Sequence, residues 1–150
     1  MTSYGEVERE LAALLRRARA WNREVATVVH PDLQPTAYAL LARVDELGST
    51  RAIDLSDYFG IDKGAISRQV GLLERVGLVS REPDPDDGRA QLLVVTTEGR
   101  KRLAMARGGR RQVVREQLDR WPEEDVVTFA ELLGRFNQQM DAAVGGDGDR

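Results

Sequence analysis

The chain has 150 residues, no cysteine, 41% hydrophobic residues and a formal net charge of -3. Without cysteine, disulfides, thiol redox switching and cysteine-ligated zinc are excluded. No apolar run reaches the roughly 20 residues that cross a bilayer, and no charged-then-apolar leader precedes Glu6, so a cytoplasmic protein with no membrane partner is expected, a single domain over 1–150.

In chain order, residues 1–5 are expected to fray. From Glu6 to Val29 the apolar positions Val7, Leu11, Leu14, Ala18, Trp21, Val25 and Val28 recur at helical spacing, with Arg16, Arg17, Arg19 and Arg23 between them. Such a helix spans roughly 35 Å, longer than a small core covers, so its stripe calls for another long helix or a second subunit. The run His30-Pro31-Asp32-Leu33-Gln34-Pro35 ends it, because a residue before proline is pushed out of the α region. His30 is the only histidine and lacks neighbours of metal-ligating type, which favours a structural or ligand-facing role. Thr36–Leu47 reads as a helix with Tyr38, Leu41, Val44 and Leu47 inward, and Gly48 closes it. Ser49 and Thr50 then read as turn residues that are also able to meet a phosphate.

The stretch from Ile53 to Val79 organises the rest. Leu55, Tyr58 and Phe59 recur at helical spacing, Gly60 breaks the run, and a second helix begins at Asp62, with Ile66, Val70 and Leu73 on one face. Two short helices across a tight turn form a helix-turn-helix. The opposite face of the second helix carries Gly64, Ser67, Arg68, Gly71 and Arg75: small residues let a helix sink into a major groove, and a guanidinium offers a forked donor pair to a guanine edge or a phosphate. Asp62 is a good N-cap, but Lys63 puts a cation in the first turn, where the helix dipole alone prefers an acid. That points to an anionic partner. Taken singly, these cations read as an ordinary solvated face; as a set on a helix-turn-helix they read as a DNA contact.

Gly77 marks the helix exit, and Leu78–Glu82 and Ala90–Val95 read as two strands around Pro83-Asp84-Pro85-Asp86-Asp87-Gly88-Arg89. Asp87-Gly88 is a turn signal, and prolines and glycine make a plain turn a better account of the three acids than a metal site. A hairpin in this place is a wing, with Arg89 at its tip for a minor groove and Asp87 close enough to orient its guanidinium. Thr96 or Thr97 caps a further helix to about Leu118, with Glu98 in its first turn and Gly108-Gly109 as a kink or close crossing. After an Arg120-Trp121 corner, Pro122 opens a last helix through Val126, Phe129, Leu133, Phe136 and Met140, leaving Gly145–Arg150 as a flexible tail.

The charge is unevenly spread. Arg51–Arg111 holds 12 Lys and Arg against 9 Asp and Glu, and the remainder holds 10 against 16. Acidic flanks favour solubility and oppose indiscriminate phosphate binding.

In its order of parts the chain resembles the MarR (multiple antibiotic resistance regulator) family of winged-helix transcription factors, over about Glu6 to Val144. The most specific pieces are Asp62-Lys63 with Ile66-Ser67-Arg68-Gln69-Val70, the Gly77-Leu78-Val79 exit, and Asp84-Pro85-Asp86-Asp87-Gly88-Arg89 leading to Thr96-Thr97-Glu98-Gly99. The resemblance implies a mainly α fold with a small β-hairpin wing: a winged helix-turn-helix lobe at 34–96, and a helical dimerisation lobe from 6–30 and 98–144. It implies a homodimer on the double-stranded DNA of a palindromic operator, with Lys63, Ser67 and Arg68 of the recognition helix and Asp87 and Arg89 of the wing in contact with DNA; Gly64 and Arg75 join these DNA-binding residues on the reading of the outward helix face. Two positions depart from the pattern. Gly64 and Ala65 stand where Ser and Thr are usual, and Ile53 stands where an oxygen-bearing cap is usual, leaving Asp54 as the cap.

The expected function is therefore a dimeric, sequence-specific transcriptional regulator, a repressor released by a small aromatic or anionic effector, with no cofactor and no metal. Trp21, His30, Tyr38 and Arg16 are candidates for the effector cleft, against the plainer reading of aromatics at helical spacing as core. Without cysteine, the thiol-based peroxide sensing found in part of the family is excluded. The alternative is a winged-helix protein-protein interaction module, which a shallow salt dependence would reveal. An enzyme is disfavoured, since no nucleophile with its base, phosphate loop or metal cluster is legible.

Overall fold

Glycines set the path of the chain between its first helices. Gly48, Gly60 and Gly77 have φ of 79°, 61° and 77°, a region open to glycine at little cost. At the last, the amide of Gly77 donates to Glu74 O (3.0 Å) and that of Leu78 to Leu73 O (2.9 Å), a Schellman exit that satisfies the final carbonyls and sends the chain into the hairpin. The computed structural model describes residues 3–145; fraying at Met1 and Thr2 and a tail beyond Gly145 lie outside the described residues. The elements in order are α1 (Ser3–Val29), α2 (Pro35–Leu47), α3 (Ala52–Phe59), α4 (Lys63–Arg75), β1 (Val79–Pro83), β2 (Gln91–Val95), α5 (Thr97–Leu118) and α6 (Glu123–Gly145). The fold is mainly α with one antiparallel two-stranded hairpin, as expected.

Several boundaries differ from the sequence reading. Helix α1 already includes Ser3, Tyr4 and Gly5, and α2 starts at Pro35, where a missing N–H costs nothing. Both strands begin one residue late: Leu78 is spent on the helix exit, and Ala90 is held in the loop, donating to Asp87 O and accepting from Asp84 N. Neither Ile53 nor Asp54 caps α3: the cap is Arg51, which makes no side-chain cap bond. Pro122 is the residue before α6, its carbonyl accepting from Asp125 and Val126.

Contacts divide the chain into two compact units, Met1–Gly109 and Arg110–Arg150. In the first, Leu40, Leu41, Leu55, Ile66, Leu73, Leu78 and Leu93 are buried, and Val25, Ala26 and Val29 of α1 and Leu103 and Ala106 of α5 join the same cluster. The hairpin register runs Val79 opposite Val95 to Pro83 opposite Gln91, and Thr50 adds a bridge by exchanging backbone hydrogen bonds with Leu93 (3.2 and 2.8 Å). Helix α5 is fastened by Arg102 Nη1 donating to Val29 O (2.9 Å) and by the Arg107–Asp45 ion pair (2.8 Å). Thr96 is its cap: Oγ1 accepts from Gly99 N (3.0 Å) and donates to Gly77 O (2.6 Å). Leu47, expected inward, is exposed, as are Tyr58 and the α1 stripe positions Val7, Leu14 and Val28; the Tyr58 ring carries the Arg43 guanidinium 4.0 Å from its centroid.

In the second unit no described residue from 110 to 142 is buried. Val113, Val114, Phe129, Leu132 and Met140 are all exposed, and the rings of Trp121 and Phe129 meet at 5.7 Å. Gly108 and Gly109 lie within α5, and a Cβ on either meets nothing within 4 Å. Among the described residues no close crossing accounts for them.

Candidate nucleic-acid interface

Helix α4 is anchored on one side and open on the other. Asp62 Oδ2 accepts from Gly64 N (3.0 Å) and starts the helix, while Ile66, Val70 and Leu73 are each 1% exposed. That anchoring turns Lys63, Gly64, Ser67, Arg68 and Arg75 outward, all exposed, with Gly71 half-buried between them. The tight neighbour of Gly64 is the capping carboxylate, whose Oδ2 a Cβ would meet at 3.0 Å; the neighbouring guanidiniums are at ordinary contact distance. A Cβ on Gly64 would lie 3.6 Å from Arg68 Nη1, and one on Gly71 would lie 3.6 Å from Arg75 Nη1; each guanidinium thus lies back over a glycine one turn earlier. Among the described residues, Lys63, Arg68 and Arg75 have no ion-pair or side-chain hydrogen-bond partner, whereas nearby Arg81 is paired with Glu74 at 2.8 Å. The cations of the outward face keep their full donor capacity for an external anion.

The wing corrects one expectation. Asp87 Oδ1 accepts from the backbone amide of Arg89 (3.0 Å) and does not hold its guanidinium, because two residues of turn bring the amide within reach first. The carbonyl of Asp87 accepts from Ala90 N (3.0 Å), so Asp87-Gly88 does turn the chain, though Gly88 has no positive φ. Arg89 is exposed with its guanidinium unpaired among the described residues.

The carboxylate that does hold an arginine is Asp84, only 6% exposed. Its Oδ2 accepts from Arg51 Nε (2.7 Å) and Nη2 (2.5 Å), and its Oδ1 from Asp86 N (2.9 Å). The Asp86 amide first, and the Arg51 guanidinium next, hold the Asp84 carboxyl below the usual aspartate range, and the same pairing raises Arg51. Sequence reasoning missed this pair across 33 positions; its one signal was an arginine at a cap position, where an oxygen-bearing side chain is usual.

The residues considered for an effector cleft do not share a surface role. Tyr38 is buried in the core, Trp21 packs half-buried against it and Arg16 is exposed. His30 Nδ1 accepts from Asp32 N (3.1 Å) and so closes the turn after α1. An open hollow at the α5–α6 turn is lined instead by Arg120, Trp121, Asp125, Phe129 and Leu132, among others. Among the described residues no group of His, Asp and Glu is placed to hold a metal, and no helix is long and apolar enough to cross a membrane.

Residues 32–90 match the MarR family. The chain is 32% identical to the HTH-type transcriptional regulator YxaD of Bacillus subtilis over 132 residues, covering 88% of this chain and 91% of that protein. Its fold is similar to that of RV1404 from Mycobacterium tuberculosis (TM-score 0.81, 18% identity, 100% and 97% of the two chains). It is also similar to FabT of Streptococcus pneumoniae, solved in complex with DNA (TM-score 0.77, 16% identity, 94% and 99%).

Proposed function

This chain belongs to the MarR family as a DNA-binding transcriptional regulator, and from that premise we propose that it is a homodimeric repressor of a palindromic operator, released by a small aromatic or anionic effector. In this reading Lys63, Ser67, Arg68 and Arg75 enter a major groove, with Gly64 allowing close approach. Arg89 enters the flanking minor groove, and Asp87 shapes the turn that presents it. The lobe at 34–96 carries these contacts and the segments 6–30 and 98–144 make the dimer, in the cytoplasm where the operator lies. The observation that carries the DNA contact is the outward face of α4, where three cations have no partner among the described residues beside two glycines. Dimerisation is supported by a second unit without one buried side chain among residues 110–142, since a helix pair with an uncovered apolar face needs a partner. Repression and effector release follow the family resemblance.

The test is selection of duplexes from a randomised pool, followed by binding of the enriched duplex. Arg68→Ala is expected to cost about 1–3 kcal/mol on that duplex if the side chain reads a base. Sizing at micromolar concentration is expected to give a dimer, with recognition helices able to lie about 34 Å apart on one DNA turn. Unchanged binding by folded Arg68→Ala, or a monomer, would overturn the corresponding part.

A further inference from the structure

We propose that Arg51 is a positioning residue for the wing, holding the β1–β2 loop where Arg89 meets DNA without itself touching DNA. The inference rests on the DNA-binding reading above and extends it to a residue outside the recognition surface.

Arg51 stands where three parts of the fold meet. Its carbonyl accepts from Asp54 N (3.1 Å) and Leu55 N (3.3 Å), which starts α3. Its neighbour Thr50 is bridged to Leu93 of β2. Its side chain reaches Asp84, the first residue after β1, whose amide in turn donates to Ala90 O (3.1 Å) and closes the loop at its base. The position normally given to a cap side chain is thus used to grip the wing, and α3 starts without a cap bond.

Beyond Asp84 nothing else among the described residues fastens the loop. Pro85 to Arg89 are all exposed, and the bonds of Asp87 to Arg89 N and Ala90 N are internal to the turn. They fix the shape of the tip but not its direction. The Arg81–Glu74 pair ties β1 to α4 further down the hairpin. A buried carboxylate keeps its place only while its charge is matched, so without the guanidinium Asp84 turns to water and the loop loses its base. With Nε and Nη2 committed to Asp84, Arg51 is a poor candidate for a phosphate of its own.

The experiment is a double-mutant cycle on the enriched duplex, using Arg51→Gln, Arg89→Ala and the double variant, each measured over a salt series and checked by thermal unfolding. Arg51→Gln is expected to weaken binding several-fold. In the Arg89→Ala background it is expected to change affinity by less than about two-fold, because coupled residues lose one interaction once, and to leave the salt slope unchanged. Asp84→Asn is expected to match Arg51→Gln, and Arg51→Lys to fall between the wild type and Arg51→Gln; these variants carry the same cycle if Arg51→Gln unfolds. Full effects of Arg51→Gln and Arg89→Ala that multiply would overturn the proposal. So would a slope reduced by about one in the Arg89→Ala background, the mark of a direct phosphate contact. Loss on Arg68→Ala with none on Arg51→Gln would overturn this inference and leave the regulator reading standing; no enriched duplex with the wild-type chain would overturn both.

Discussion

The α-carbon of Gly99 faces the carbonyl of Leu78 so closely that a Cβ there would lie 2.3 Å from that oxygen and 2.7 Å from Val95 Cγ1. This contact joins the start of α5 to the entry of the wing, beside the hydrogen bond that the Thr96 amide donates to Leu78 O (3.0 Å). Gly99→Ala is expected to destabilise the protein by about 3 kcal/mol, since the obstacle is backbone and cannot rotate away. Gly108→Ala, with nothing within 4 Å, is expected to stabilise by up to about 1 kcal/mol, the ordinary gain of alanine over glycine in a helix. Urea unfolding of the two variants distinguishes a packing requirement from general helix propensity.

Asp62 is expected to matter for stability and binding together. Its bond to Gly64 N is the only side-chain cap on α4, so Asp62→Ala costs about 1 kcal/mol of stability. Fraying of that first turn also loosens Lys63 and Ser67. Thermal unfolding and duplex titration of the same variant are expected to fall in parallel; a loss of stability with full affinity would separate the cap from the interface.

Acid is expected to act partly through the base of the wing. Asp84 is held below its ordinary value of 3.8 and Glu98, by Arg102, below 4.5. A carboxylate whose pKa is lower in the folded chain than in the unfolded one stabilises the fold above its unfolded value. That stabilisation is lost as pH falls through the folded value. The stability difference between wild type and Asp84→Asn is therefore expected to be full at neutral pH and to shrink below pH 3.8. A difference that stays constant to pH 3, followed by circular dichroism, would contradict the assignment.

What was legible in the sequence was whatever depends on short spacing. Ile66, Val70 and Leu73 share a face because helical periodicity puts them there, and that alone fixed which side of α4 is outward. Gly60 and Gly77 ended helices because few other residues take positive φ. Less was legible where a side chain chooses among distant partners. Proximity in sequence pairs Asp87 with the Arg89 guanidinium two residues on, while the buried carboxylate of the loop is Asp84 and its arginine lies at the start of α3. Spacing groups Tyr58 with Leu55 and Phe59, but its ring is exposed and lies against the half-buried Arg43 guanidinium. The exposed residues of α1 and α6 fit the same rule: their periodicity marks an apolar stripe but not which surface covers it.

The salt dependence of binding tests the central claim most directly. If α4 and the wing meet a duplex through unpaired cations, log affinity for the enriched duplex falls linearly with log salt, by about 0.9 for each phosphate neutralised. The slope is then expected to be steep for the wild-type chain and clearly shallower for Lys63→Gln/Arg68→Gln/Arg75→Gln. A shallow slope in the wild-type chain, or the same slope in both, would contradict the account and favour a protein partner for this face.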